Sequence, residues 1–213
     1  MGQIIKWHNE AIGKKTVAAL EKNHFTAEYA ADKANALVRA LASIPAGSSV
    51  GLGGSASRDE IGLTAALKER GGRIFDPFAP GLTGEESLAE RRRSLTADVF
   101  VTGSNAVTLD GQLINVDGTG NRVAALAFGP GKVVVIVGAN KIVPDIQTGL
   151  KRIKAIAGPA NNKRLKRPNP CAVTGVCMDC DSPERICNIT TITHKRPRQS
   201  DVHIIIVGEP LGF

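Results

Sequence analysis

Four cysteines near the end of the chain carry the strongest chemical signal in the sequence. Their spacing is C-x5-C-x2-C-x6-C over 17 residues: Cys171, Cys177, Cys180 and Cys187. The close central pair lets two sulfurs chelate one centre, and nearby prolines and a glycine allow the outer two to loop back. Because disulfides are disfavoured in the reducing cytosol, cysteines clustered in a cytosolic chain predict metal or redox chemistry. All four are therefore predicted metal ligands.

The same spacing narrows the type of metal. Tetrathiolate sites suit zinc or iron–sulfur clusters. Zinc ribbons usually have two separated C-x2-C pairs, whereas this segment has one, so an iron–sulfur cluster is favoured and zinc is the alternative. Redox-active thiols without a metal are the third interpretation. Between Lys151 and Pro170 the chain has seven Lys or Arg and no acidic residue, and this positive charge would stabilise thiolates.

A glycine-rich turn, Gly51 to Ser57 (GLGGSAS), lies between a predicted strand and a predicted helix. Its glycines allow close backbone approach, and the free N–H groups of the following helix favour an anion. The candidate ligand-binding residues here are Gly53, Gly54, Ser55 and Ser57. Glu60 follows in the first helical turn and is a candidate base or nucleophile. A tight turn without a ligand is the alternative, because the P-loop pattern is absent and the dinucleotide-binding pattern matches weakly.

Acidic, amide and guanidinium side chains cluster between Thr108 and Arg122. In this cluster Asp117 could act as a general base, and Arg122 could clamp a carboxylate or phosphate. Asp110 and Asn121 complete the predicted ligand-binding set. Both acids also have a structural interpretation, since Asp110 with the following glycine is a strong hairpin signal and Asp117 could cap a turn.

The elements that must position these residues alternate between strand and helix along the chain. The predicted helices are 8–22, 26–43, 58–70, 85–95, 120–128 and 144–157; the predicted strands are 49–53, 73–75, 98–102, 132–137 and 202–207, with a hairpin over 105–116 and a linker over 159–170. This order predicts an α/β fold with a mixed, mostly parallel sheet flanked by helices.

Composition excludes several classes of protein. Apolar residues make up 42% of the 213 residues and aromatics only 4%, so the core must consist of Ala, Val, Ile and Leu. The apolar runs are strand-sized, well below the ~18 residues of a membrane span. With no signal-peptide pattern at the start, the expected location is the cytoplasm. The net charge is +7, but the basic runs lack interleaved aromatics, which disfavours nucleic-acid binding.

Several motifs, taken in order, resemble the LUD domain of the lactate-utilisation protein C-like family. They are GGSAS with EIGL, DVFVTGSN, TLDGQLINVDGTGNR, KVVVIVGANKIV and EPLGF. The segment PNPCAVTGVCMDCDSPERICN resembles the cysteine-bearing branch of that family. The resemblance implies a fold similar to the glucosamine-phosphate isomerase, ribose-phosphate isomerase and CoA-transferase group. It also implies a link to oxidation of L-lactate to pyruvate, together with iron–sulfur partner subunits.

The chain is expected to divide into a LUD α/β domain, residues 1–165 and 199–213, and a Cys-rich metal or iron–sulfur segment, residues 166–198. The first functional hypothesis is a redox-linked component of lactate or organic-acid utilisation that binds a small anionic metabolite. The second is a sugar-phosphate isomerase or an acyl/CoA-transferase-like enzyme. The third is a zinc-stabilised, non-catalytic interaction module.

Overall fold

The computed structural model describes residues 2–213, and in this range the strands form two sheets. The strands are β1 (Thr26–Ala30), β2 (Val50–Leu52), β3 (Ile74–Phe75), β4 (Val99–Gly103), β5 (Ala106–Thr108), β6 (Leu113–Asp117), β7 (Lys132–Gly138), β8 (Ile142–Val143), β9 (Ile189–Thr193) and β10 (Asp201–Val207). The larger sheet has the order β1-β10-β7-β4-β2-β3, and every neighbouring pair in it is parallel. The smaller sheet has the order β8-β5-β6-β9.

Helices cover both faces of the larger sheet. They are α1 (Gly2–Lys22), α2 (Lys33–Ser43), α3 (Ala56–Glu60), α4 (Leu63–Glu69), α5 (Gly84–Ser94), α6 (Asn121–Ala127), α7 (Ile146–Arg152), α8 (Gly158–Arg164) and α9 (Pro170–Thr174). A π-helical turn, Ile153–Ala157, joins α7 to α8, and a 3-10 turn, Ala139–Lys141, follows β7. No helix in residues 2–213 has the length and hydropathy needed to cross a membrane.

The core lies on the two faces of the central strands β7 and β10. On one face, Ile136 and Ile205 pack in a cluster with residues of α2 and α4. On the other face, Val135 and Ile204 pack in a cluster that includes Leu20 of α1. Residues 133–137 of β7 and 204–207 of β10 are continuous apolar runs because successive side chains point to opposite faces of the sheet, and both faces are covered.

The predicted α/β fold, with a mostly parallel sheet flanked by helices, is confirmed. The antiparallel hairpin does not join the main sheet, however. Strands β5 and β6 pair with each other in the smaller sheet, where β8 and β9 extend them on either side. The main sheet is therefore purely parallel, and the mixed pairing is confined to the second sheet.

The predicted helix over 26–43 was wrong in its first part. Residues Thr26–Ala30 form the edge strand β1, which pairs in parallel with β10. The helix starts later, where Asp32 caps it by accepting a hydrogen bond from the Asn35 backbone N–H at 2.8 Å. Thr26 and Glu28 suit a helix start, but pairing with a fully buried strand outweighs that weak local preference.

Other elements also differ from the sequence prediction, among them α1, which begins at Gly2 instead of residue 8. The helix over 58–70 is broken at Gly62, whose φ of 75° is left-handed. The helix over 144–157 continues through the π-helical turn to Arg164, so the first part of the predicted linker is helical. Strand β9 was not predicted; it lies inside segment 166–198 and pairs with β6. The boundaries of the two predicted domains stay a prediction.

Candidate functional site

A cavity of about 240 Å³ opens where three strands of the parallel sheet end. Its walls come from the turn after β2, the end of β4, the loop after β6, the turn after β7 and the last turn of α8. Because parallel strands place their carboxyl ends at the same edge, ligands of α/β sheets bind at such crevices. We call this cavity the crevice.

The lining of the crevice is strongly basic. Its charged side chains are Arg91, Asp117, Arg122, Lys141, Arg164 and Arg167. Only one of the six is acidic, so the electrostatic field in this partly enclosed space favours an anion.

The structure brings five predicted site residues together in the crevice: Gly54, Ser55, Asp117, Asn121 and Arg122. Glu60 is not among the lining residues; its carboxylate accepts a hydrogen bond from the Gly212 N–H at 3.0 Å and lies 3.7 Å from the Lys33 ammonium. Asp110 lies on the hairpin turn, where its backbone carbonyl accepts a hydrogen bond from Asn23 at 2.8 Å. Neither Glu60 nor Asp110 lines the crevice, so the geometry does not support the ligand roles predicted for these two residues.

The glycine-rich turn is packed tightly against β4. A Cβ on Gly53 would lie 2.8 Å from atoms of Phe100 and Thr102, so only glycine fits there. Ser55 caps α3 by accepting a hydrogen bond from the Arg58 N–H at 3.3 Å. Ser57 is fully buried behind the crevice wall. The turn thus shapes the wall of the crevice.

The terminal N–H groups of Arg122 form hydrogen bonds with other residues of the protein. Its Nη1 donates to Asn115 Oδ1 at 2.6 Å and to the Gly103 carbonyl at 3.2 Å. Its Nη2 donates to Asn105 Oδ1 at 2.8 Å and to the Val116 carbonyl at 2.6 Å. Since a guanidinium has five N–H donors, these four bonds leave only Nε.

The remaining Arg122 donor faces Asp117, with Nε 3.3 Å from Oδ2. The other carboxylate oxygen of Asp117 accepts hydrogen bonds from the backbone N–H groups of Thr119 at 3.0 Å and Gly120 at 2.7 Å. Both side chains are at least nine-tenths buried. The geometry gives this pair a positioning role: it holds the loop after β6 and the start of α6 against β4.

Lys141 is a crevice residue that the sequence analysis did not single out. It lies in the 3-10 turn after β7, is 5% exposed, and donates a hydrogen bond from Nζ to Ser57 Oγ at 2.8 Å. Burial lowers the pKa of Lys141 to about 7; the positive charges of Arg152 and Arg122 add to this effect, and Glu60 opposes it. The available signal was a single lysine between an apolar strand and the apolar pair Ile142-Val143.

Two arginines complete the basic wall. Arg91 donates from Nη1 to Thr119 Oγ1 at 3.1 Å and stacks over Phe78, with Cζ 5.7 Å from the ring centre. Its Nε is buried and has no hydrogen-bond partner among the described residues. Arg164 donates to Asn161 Oδ1 from Nε at 3.0 Å and from Nη2 at 2.7 Å. Burial lowers the pKa of Arg164.

Comparison with known protein families assigns this chain to one of them. The LUD domain model matches residues 13–207. The chain belongs to the LUD domain family. The family is associated with lactate utilisation.

One solved structure shows the same fold at low sequence identity. A DUF162 family protein from Deinococcus radiodurans aligns with a TM-score of 0.51 and 18% identity, over 93% of this chain and 98% of that chain. At this identity the likeness concerns the fold alone. A search of curated proteins found no match.

The Cys-rich segment of this LUD domain protein packs against the crevice. Ile186 lines the crevice, and the Asn188 N–H donates to the Asp117 carbonyl at 3.0 Å. A Cβ on Gly118 would lie 2.8 Å from the Ile186 Cα, so glycine permits this close approach. The segment is thus part of the crevice wall.

The four thiols are partly exposed and unpaired by disulfides. Burial raises the pKa of Cys171, and the thiols of Cys180, Cys177 and Cys187 raise it further. Arg185 fixes the loop by donating to the Cys180 carbonyl at 2.7 Å. Within residues 2–213, no group of three or more Cys, His, Asp or Glu is assembled closely enough to hold a metal ion.

Proposed function

We propose that this LUD domain protein binds a small anionic metabolite in the crevice, as a redox-linked component of lactate or organic-acid utilisation. The observation that carries the proposal is the charge of the lining: five basic side chains and one carboxylate, whose two oxygens are both engaged by the protein. A carboxylate or phosphate of the ligand would supply the missing negative charge.

Not all five basic side chains need a ligand. Arg122 is balanced by Asp117, and Arg167 pairs with Glu184. Among the described residues, Arg91, Lys141 and Arg164 form no direct ion pair, and all three line the crevice. The buried Nε of Arg91 is an unused donor. Because a buried donor without a partner costs roughly 1–3 kcal/mol, a small rotation of Arg91 that brings Nε to a bound anion would relieve that cost.

The volume of the crevice fits a small ligand. At about 240 Å³ it is smaller than the roughly 300–1,000 Å³ typical of pockets for drug-sized molecules. A 2-hydroxy or 2-oxo acid, such as lactate or pyruvate, fits both this size and the charge. Association of the family with lactate utilisation supports that choice of ligand.

The isomerase or transferase alternative has less support from the geometry. Such chemistry needs a carboxylate that is free to take a proton or attack the substrate. The Glu60 carboxylate lies outside the crevice, where it accepts a hydrogen bond from the Gly212 N–H. The Asp117 carboxylate is held by two backbone N–H groups and by Arg122. Binding is therefore the better-supported role for this site.

Replacing one crevice arginine tests the proposal. Arg91→Gln should weaken binding of pyruvate or inorganic phosphate by roughly 10- to 100-fold, since a hydrogen bond to a charged group contributes about 1.5–3 kcal/mol. Arg93→Gln is the matched control, because Arg93 lies on the same helix, is 60% exposed and pairs with Glu90. The measurement is isothermal titration calorimetry at low salt. Equal affinities for both variants and the parent would refute the proposed site.

We also propose that the Cys-rich segment holds an iron–sulfur cluster, with zinc as the alternative. Two features support it: the four thiols lie within one 17-residue segment, and Arg185 organises the loop that carries two of them. Cluster binding would draw Cys171, Cys177, Cys180 and Cys187 together as ligands. Iron–sulfur partner subunits would exchange electrons with it.

Metal analysis of protein purified without oxygen tests the cluster. The parent should be brown and contain iron with acid-labile sulfide, and Cys177→Ser should lose most of both. Ser182→Ala changes the same segment without removing a thiol and should keep them. One equivalent of zinc in a colourless parent would instead favour the interaction module. Iron content unchanged by Cys177→Ser would refute the ligand set.

A further inference from the structure

We infer that Lys141 contacts the bound anion directly and that the crevice takes up its ligand together with a proton on this lysine. The inference rests on the proposed anion-binding function and deepens it by naming the residue that controls affinity. It rests first on position: Lys141 lines the crevice and is 5% exposed.

The surroundings of Lys141 hold more positive than negative charge. Arg152 faces it from α7, Arg122 from α6, and Glu60 from the end of α3. Arg164 and Asp117 line the same crevice. Asp117 is already engaged by Arg122, and Glu60 lies 3.7 Å from Lys33. Within residues 2–213, an ammonium group at this position therefore lacks a dedicated counter-ion.

The hydrogen bonding leaves Lys141 free to meet a ligand. Its Nζ donates a hydrogen bond to Ser57 Oγ, and Ser57 is buried behind the crevice wall with its own hydroxyl directed at the Leu211 carbonyl, 3.4 Å away. An ammonium has three N–H donors, so two remain for an anion in the crevice. Ser57 thus acts as a positioning residue that fixes the lysine at the wall of the crevice.

Burial and the two arginines explain why a proton should accompany the ligand. They lower the pKa of Lys141 to about 7, so near neutral pH the empty crevice contains a mixture of amine and ammonium. An anion beside Nζ favours the ammonium and raises that pKa again. Above pH 7, binding of a fully ionised ligand must therefore be accompanied by uptake of a proton from solution onto the Lys141 amine.

The consequence is a defined pH dependence. Below about pH 6 Lys141 is already almost fully charged, so affinity should be constant. Above pH 7, Kd should rise by about tenfold per pH unit while one proton is taken up, until the pKa of the complex is reached. Pyruvate is a suitable probe because its carboxylate stays ionised throughout this range, whereas phosphate titrates within it.

The experiment measures pyruvate binding to the full chain by calorimetry from pH 6 to pH 9. Buffers with different heats of ionisation report the number of protons taken up. The parent should take up close to one proton at pH 8 and bind about tenfold more weakly at pH 9 than at pH 8. This readout needs no variant, so it does not depend on the folding of a substituted protein.

Two substitutions at Lys141 distinguish the effect of the positive charge on affinity from the effect of its titration. Lys141→Arg keeps a positive charge that does not titrate in this range, so its affinity should not change with pH. Lys141→Met removes the charge and should bind weakly at every pH without proton uptake. Parent binding that is independent of pH with no proton uptake overturns the inference and leaves the proposed function standing. Absence of pyruvate binding at pH 6 overturns both.

Discussion

At the scale of single residues, Lys141 couples function to stability. A buried lysine with a lowered pKa binds fewer protons in the folded chain than in the unfolded chain between pH 7 and about 10.5. The cost of burying its charge is therefore complete below pH 7 and is relieved as the pH rises toward 10.5. Each pKa unit corresponds to ~1.4 kcal/mol.

This sign gives a prediction for Lys141→Met. At pH 6 the free energy of unfolding of the variant should exceed that of the parent by a few kcal/mol. This difference in stability should shrink toward zero by pH 10.5. Urea unfolding at the two pH values measures the difference. Lys68→Met, a change at a 55% exposed lysine, serves as the control. An advantage that is the same at both pH values would show that Lys141 is not charged at a cost in the folded chain.

The sequence identified some crevice residues and missed others for a physical reason. Asp117, Asn121 and Arg122 were found because polar side chains were dense where a strand meets a helix. Lys141 and Arg91 were missed because the fold brings them to the crevice from distant elements. The prediction that Arg122 binds the ligand anion rested on residue type alone. Residue type does not show the direction in which the five N–H donors of the guanidinium point.

At the scale of elements, Arg122 joins parts of both sheets. Its four hydrogen bonds reach the end of β4, the loop before β5 and strand β6, and the residue itself lies on α6. Without the guanidinium, several buried acceptors and the Asp117 carboxylate would lose their partner. A junction between the two sheets therefore depends on one side chain.

Arg122→Met should accordingly lower the free energy of unfolding by roughly 3–5 kcal/mol, the cost of breaking a buried ion pair. Arg93→Met, at a 60% exposed pair, should change it by less than about 1 kcal/mol. Chemical denaturation of the two variants measures both effects. A stable Arg122→Met protein that has lost only anion affinity would restore the clamping role predicted from the sequence.

The parallel core was predictable from sequence because its strands are short apolar runs separated by helices. Strand β1 was not, because TAEYA resembles a helix start and becomes a strand only beside β10. Strand β9 carried a usable signal: ITTIT is rich in β-branched residues, which favour strands.

At the scale of the whole molecule, the Cys-rich segment and the crevice share a wall. Ile186 lies between Arg185, which organises the cysteine loop, and Cys187, and it lines the crevice. Strand β9 then ties the segment to the second sheet through β6. A cluster in the segment and an anion in the crevice would therefore lie in adjacent parts of one structure, as redox-linked binding requires.

A crystal structure of the protein with pyruvate, grown below pH 7, tests the central claim most directly. The account predicts the pyruvate carboxylate in the crevice, within hydrogen-bond distance of Lys141 Nζ and of the Arg91 guanidinium, while Arg122 keeps its contacts with Asn105 and Asn115. Pyruvate bound at another surface, or a crevice without ligand at a pyruvate concentration that saturates the protein in solution, would contradict it.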